Sequence, residues 1–267
     1  MSFNRKSALA AVLALGLSAC SATLQGTSGS DYLARYDRLG YGAAAASPEA
    51  PAANADVEAD IREIASVEPH LEFPARIGLA RVGRSGLTAL PGDEVQIWQA
   101  ALEGVGEQYG EFVPVSPLVA SMVSKPAARG TDRTQAILAD IRRGAARQHL
   151  DYVLVYEVGA STRDKANLLS LADLTIVGMF VIPTRTVDVE ASASGLLLDV
   201  RNGYPYATLT GHARKSSVSR AVSSRSTRTE LADTAQERAV AALADQVAGA
   251  LDGLYQISLQ GGSAKMD

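Results

Sequence analysis

The sequence predicts an α+β domain, a mixed sheet with helices packed on it, preceded by a signal peptide and a flexible tether. Strand and helix signals alternate through the first half of the folded region. An antiparallel meander follows, and the last long element is an amphipathic helix. Aromatic residues make up 5% of the chain against 47% in the hydrophobic class, so the core is expected to rest on aliphatic side chains and alanine.

Each element has a local reason. Residues 73–82, with Ile77, Leu79 and Val82, read as a strand. Val95, Trp98, Leu102 and Val105 recur at helical spacing behind Pro91-Gly92-Asp93, which predicts a helix over 94–105. Residues 112–115 read as a strand at a sheet edge, because Pro114 has no N–H for a ladder. Asp132 and Gln135 suit a capping box for a second helix whose buried face is Ile137, Ile141 and Ala145. The run 152–158 is β-branched and aromatic, as a central strand requires.

The third quarter alternates. Val187, Val189, Ala191 and Ala193 interleave with Asp188, Glu190, Ser192 and Ser194, and Gly195 breaks the phase, so a bulge is expected there. Asn202-Gly203 between two such runs predicts a hairpin, with 205–213 as the return strand. Residues 230–255 form the last helix, with Leu243, Val247, Leu251 and Leu254 on one stripe and Thr227 and Glu230 as its capping box. Upstream, Val57, Ile61 and Ile64 predict a short helix within 56–66. Tyr32, Tyr36, Leu39 and Tyr41 lie close together and read as part of a loose, partly ordered tail, or as a patch that packs onto the domain or a partner.

Composition excludes several function classes. The single cysteine rules out a disulfide framework and a cysteine-based metal cluster. His70, His149 and His212 are too far apart in sequence to suggest a metal site, so neither metal nor cofactor is expected. A net charge of −4 argues against a nucleic-acid partner. No Gly-x-Ser-x-Gly elbow and no P-loop occur, and no enzyme is expected.

The amino terminus carries an address. Arg5 and Lys6 precede an apolar run from Ala8 to Leu17, the anatomy of an export signal and too short for a permanent span. Leu17-Ser18-Ala19-Cys20 resembles the bacterial lipobox. That resemblance implies cleavage between Ala19 and Cys20 and acylation of the Cys20 thiol, so the membrane is a partner through those chains. Ser21 rather than Asp follows, which resembles the Gram-negative default sorted to the periplasmic face of the outer membrane. The expected divisions are a signal at 1–19, a lipidated tether at 20–70, an α+β domain at 71–257 and a tail at 258–267.

Two segments carry candidate contacts. Residues 168–182 are mostly apolar, interrupted by Asp173. A helix needs about 20 residues to span a bilayer, so the ordinary reading is buried core. The functional reading is an exposed apolar surface for a partner or the bilayer, with Leu168, Leu169, Ile176, Val177, Met179 and Phe180 as the candidate contacts. A pore hairpin would need two alternating strands of about 9–11 residues, and 161–167 is simply polar. Residues 201–229 hold Arg201, Arg214, Lys215, Arg220, Arg225 and Arg228 and no acid. They read as a solvated loop or helix start, or as a cationic face for anionic glycan, phospholipid headgroups or an acidic partner patch.

The element order resembles the domain shared by the curli-secretion lipoprotein, the lipoprotein activator of penicillin-binding proteins and the TolB amino-terminal domain. The residues that carry this are Arg76-Ile77-Gly78-Leu79-Ala80, His149-Leu150-Asp151-Tyr152-Val153-Leu154 and Leu198-Asp199-Val200-Arg201-Asn202-Gly203. Asn167-Leu168-Leu169-Ser170-Leu171 through Thr175-Ile176-Val177-Gly178-Met179-Phe180-Val181-Ile182-Pro183 is similar to the rhombotarget lipoprotein group. With no apolar anchor among its last residues, a rhomboid processing signal is not expected. The resemblances imply a non-catalytic envelope lipoprotein acting through a protein partner. The alternative is an oligomeric transport or secretion component, a homo-oligomer similar to the curli channel.

Overall fold

The structure, a computed structural model, describes residues 21–40, 52–166, 184–220 and 224–263. Its strands are β1 (Ser21–Leu24), β2 (Ala75–Gly83), β3 (Gly86–Thr88), β4 (Gly110–Pro114), β5 (Tyr152–Ala166), β6 (Thr184–Asp199) and β7 (Pro205–Arg220). The helices are α1 (Gly29–Arg38), α2 (Ala52–Ala65), α3 (Gly92–Val105), α4 (Pro117–Val123), α5 (Arg133–Arg147) and α6 (Ser224–Ser263). The strands form one mixed sheet in the order β1-β7-β6-β5-β2-β3, with β4 also on β2. β2 is parallel to β4 and β5, and the other pairs are antiparallel. The predicted α+β class, a mixed sheet with helices packed on it, is the observed one.

Helices cover both faces. On one, α6 and α3 bury Ile77, Leu79, Leu154, Tyr156, Leu197 and Leu209 under Leu243, Val247, Leu251, Leu254 and Trp98. On the other, α5 places Ile141 and Ala145 over Ala80, Val153, Val155 and Leu198. α6 has 40 residues, about 60 Å of helix at 1.5 Å per residue. It approaches the sheet very closely at Gly211, where a Cβ would lie 2.4 Å from the Ala239 carbonyl oxygen and 2.5 Å from the Leu243 nitrogen. Only hydrogen fits there.

Among the described residues the buried carboxylates Glu94 and Asp199 are paired. Glu94, in the first turn of α3, is buried. It accepts from the Tyr156 hydroxyl at 2.7 Å and from Arg81 Nε at 2.9 Å, and Trp98 Nε1 donates to Tyr156 at 3.3 Å. This ties α3 to β2 and β5, where bare apolar packing would leave its rotation free. At the other end, the Tyr206 hydroxyl accepts from the His70 N–H at 2.8 Å and the Tyr152 hydroxyl from the Glu72 N–H at 2.7 Å. These two bonds fasten the strap entering β2.

Local signals survived where local physics set them. Asp132 caps α5, its carboxylate accepting from the Thr134 N–H at 2.7 Å. In the Asn202-Gly203 turn, buried Asp199 accepts from the Arg201 N–H at 2.7 Å, and Gly203 adopts φ 80°. Other expectations need correction. β6 runs unbroken through Gly195, and the register shift lies at Leu197/Leu198. Gly195 instead makes room, since its Cβ would meet Leu154 and Leu243 at 3.2 and 3.3 Å. α6 begins at Ser224, so Thr227 lies inside it, not at its cap. Of the basic stretch expected as a loop or helix start, Arg225 and Arg228 do lie in the start of α6, but Arg214, Lys215 and Arg220 lie in β7. The short helix expected within 56–66 is present as α2, and within the expected tether residues 21–24 and 29–38 also form β1 and α1. β1 pairs with β7, because that edge offers it hydrogen-bond partners.

Two outcomes follow from this packing. Gly211→Ala should lift α6 from β7 and cost about 1–3 kcal/mol, read as a lower urea midpoint at unchanged slope. Burial pushes Tyr152 up to about 12 and also raises Tyr156 and Tyr206. Such groups stabilise the fold below the ordinary tyrosine value of 10.0, and that contribution is lost as pH rises through the higher folded values. Tyrosinate absorbance for these three should therefore appear only together with loss of circular dichroism. Ionisation near the ordinary value with the fold intact would contradict the packing.

Candidate functional site

Ala19, Cys20, Leu168, Leu169, Ile176, Val177, Met179 and Phe180 all lie outside the described residues. The sheet nevertheless determines where the chain leads to them. Ser21, bonded to Cys20, pairs with Thr210 of β7. Ala166 pairs with Arg185, so residues 167–183 join β5 to β6 at the far end of that ladder. The structure thus attaches the two sequence-predicted segments to different places on one sheet.

The sheet narrows to a three-stranded arm. β2 leaves β5 after Val82 opposite Glu157, and β1 covers β7 only from Ala207 to Thr210. Beyond these points β5, β6 and β7 continue to Ala166, Thr184 and Arg220. One face of the arm lies on α6, burying Val189, Ala191 and Ala193. The opposite face is open, with a shallow cleft of about 400 Å³ lined by Gly159, Ser161, Glu190, Ser192 and His212. Arg214 and Glu190 form an ion pair across β6 and β7. His212 is exposed on this face, and His149 ends α5 at φ 58°, so the two histidines share no site. Among the described residues no group of three metal-ligating side chains converges.

A second concavity sits at the hairpin end. Tyr32, Arg35, Ile64, Val67, Asn202 and Tyr204 line a groove of about 530 Å³. α1 supplies one wall because Ser28 caps it and Glu68 accepts from the Gly29 and Ser30 N–H groups at 3.2 and 2.8 Å. Tyr32 stacks on Tyr36 at 6.1 Å, and Tyr36 donates to Glu58 at 2.6 Å. Arg62 of α2 pairs with Asp37 of α1 at 2.6 Å. Tyr32, Leu39 and Ile64 remain exposed beside the groove. The sequence reading missed this groove. The spacing of Tyr32, Tyr36 and Leu39 was the available signal, but α2 and Tyr204 come from distant parts of the chain.

No protein-family model matches the chain, and no curated protein sequence does. Solved structures overlap it loosely. The PelC dodecamer from Paraburkholderia phytofirmans is 15% identical over 68% of this chain and 91% of that one, at TM-score 0.30. The hypothetical protein CT253 from Chlamydia trachomatis is 10% identical over 67% and 99%, at 0.33. Lipoprotein GNA1162 from Neisseria meningitidis is 15% identical over 60% and 97%, at 0.29. Overlaps of this size carry no argument about the chain's function.

The α1 wall should respond to acid. Hydrogen bonds from the Ser30 N–H and the Ser28 hydroxyl hold Glu68 below the usual 4.5, and Arg62 holds Asp37 below its usual 3.8. Lowered folded values contribute stability above the unfolded values and lose it as pH falls through the folded ones. Amide protection in α1 should therefore fade as pH drops below 4.5, before the sheet yields. Glu68→Gln should weaken α1 above that acid step and remove most of the step itself. Hydrogen exchange resolved by segment reads both.

Proposed function

We propose that this chain is a lipid-anchored, non-catalytic envelope lipoprotein facing the periplasm that acts by binding another protein. Cys20 carries the reading. It is the only cysteine, and it follows a basic n-region, an apolar run of the right length and a lipobox-like Leu17-Ser18-Ala19. Each buried methylene contributes about 0.8 kcal/mol, so two or three acyl chains hold the protein in one leaflet. No described helix is long and apolar enough to cross a membrane, and acylation supplies attachment without one. Ser21 in place of Asp supports sorting to the outer membrane.

The partner contact is assigned to Leu168, Leu169, Ile176, Val177, Met179 and Phe180. What supports this is their apolar character in a connection as short as 167–183, joined at the end of an arm rather than between core elements. Core strands that end in the sheet are covered by helices, while the open face of the arm has no such cover among the described residues.

Cys20→Ser should move the protein from the membrane to the soluble periplasmic fraction, and the mature wild-type amino terminus should show the mass of a diacylglyceryl-modified cysteine. An unchanged membrane fraction with an unmodified Cys20 defeats the reading. Met179→Glu with Phe180→Glu should leave fractionation intact and abolish capture of the envelope partner by cross-linking.

A further inference from the structure

We propose that the three-stranded arm lies along an anionic phospholipid surface, with the outer edge of β7 beyond Thr210 as its contact. The placement rests on Cys20 being acylated; the charge of the edge does not. β1 runs antiparallel to β7, with Ser21 opposite Thr210 and Leu24 opposite Ala207. The chain before Ser21 therefore enters from the arm's side of the sheet. Because Cys20 is bonded directly to Ser21, the acyl chains leave from that point with no linker between them and the sheet.

From Thr210, β7 continues to Arg220. At about 3.3 Å per residue the arm reaches roughly 30 Å beyond the anchor. That is close to the thickness of a bilayer's hydrocarbon core, about 30 Å. With strands upright on the membrane, the arm of a single copy would have to run through the bilayer. Its strands carry Arg163, Lys165, Asp188, Glu190, Arg214 and Lys215, and charges in hydrocarbon are costly. Its outer edges, β5 past Glu157 and β7 past Thr210, have no partner strand among the described residues, and hydrocarbon cannot satisfy such backbone groups. The arm therefore lies flat, and the edge beside the anchor faces the lipid.

That edge suits headgroups. β7 holds Lys215 and Arg220, beside an Arg214 that pairs with Glu190, and no acidic residue from Pro205 to Arg220. Basic residues on an edge strand also discourage strand-to-strand pairing between copies, but the position of Ser21 decides that these meet a bilayer first. At the opposite end of the sheet α1, α2 and Glu68 carry seven acidic residues against Arg35, Arg38 and Arg62. An anionic surface attracts one end and repels the other over about one Debye length, 8–10 Å. The groove is thereby held clear of the membrane.

The mature, acylated protein in vesicles tests this, since Cys20 is its only cysteine and an introduced thiol can be labelled alone. Ser216→Cys places a fluorophore on the arm, and Ser85→Cys places one on the far edge; both residues are exposed. On phosphatidylglycerol-containing vesicles a headgroup-borne quencher should dim the Ser216 label severalfold more than the Ser85 label. The difference should vanish on phosphatidylcholine alone and in Lys215→Glu with Arg220→Glu. Equal quenching at both positions, or quenching indifferent to headgroup charge, overturns the proposal. The full-length Cys20→Ser chain supplies a measurement independent of acylation. It should sediment with anionic vesicles about tenfold more tightly than with neutral ones, lost on the double charge reversal. Failure to sediment with anionic vesicles overturns the proposal, whereas an unmodified Cys20 by mass spectrometry overturns only the lipoprotein reading.

Discussion

The close seating of α6 on β6 and β7 is the contact on which the rest depends. Gly211 lets the helix backbone at Ala239 and Leu243 come down onto the sheet, and Leu243, Leu251 and Leu254 then fill the space over Leu209 and Leu197. Although aromatics are few, most of them lie in the core: Trp98, Tyr152, Tyr156 and Tyr206 are its largest fully buried side chains, and small residues let the helix backbone close down onto the sheet. The same helix runs out along the arm and buries Val189 and Ala191. Without it those strands would be a thin polar ribbon, and the sheet would end where β2 ends.

Polar interactions then set orientation, not bulk stability. Glu94, Tyr156, Trp98 and Arg81 determine how α3 lies on the sheet, and the hydroxyls of Tyr152 and Tyr206 hold the strap before β2. Glu68 and Arg62 do the same for α1 and α2 with exposed pairs, which contribute less and yield sooner. The molecule is thus graded: a rigid sheet and α6, and a softer helical pair at the hairpin end lining the groove. The sheet separates the arm at one end from the yielding groove at the other.

Much of the fold was legible because its signals are local. Asp132 before α5 and Asn202-Gly203 in the β6–β7 turn act within a few residues, so each is read correctly without knowing its neighbours. The arm was not legible. Gly159 to Lys165 is polar and resembles a loop, since strands held by cross-strand hydrogen bonds with one open face need no apolar run. Gly195 looked like a break in phase, but its role is steric and its partners, Leu154 and Leu243, lie far away in sequence. The groove failed for the same reason, its walls coming from residues 25–35, 64–67 and 202–205.

By itself the sequence determined the punctuation of the fold, its class, and the position of one cysteine behind an export-like run. Those depend on chemistry readable over a few residues: a missing N–H at Pro114, a left-handed turn at Gly203, an apolar run too short to span. Only the tertiary structure decided that Ser21, one bond past that cysteine, is a strand residue opposite Thr210. Four residues such as Ser21–Leu24 have no strand signal of their own. They become β1 because an edge of β7 presents unpaired backbone groups, and hydrogen bonds of that kind exist only once both partners are in place.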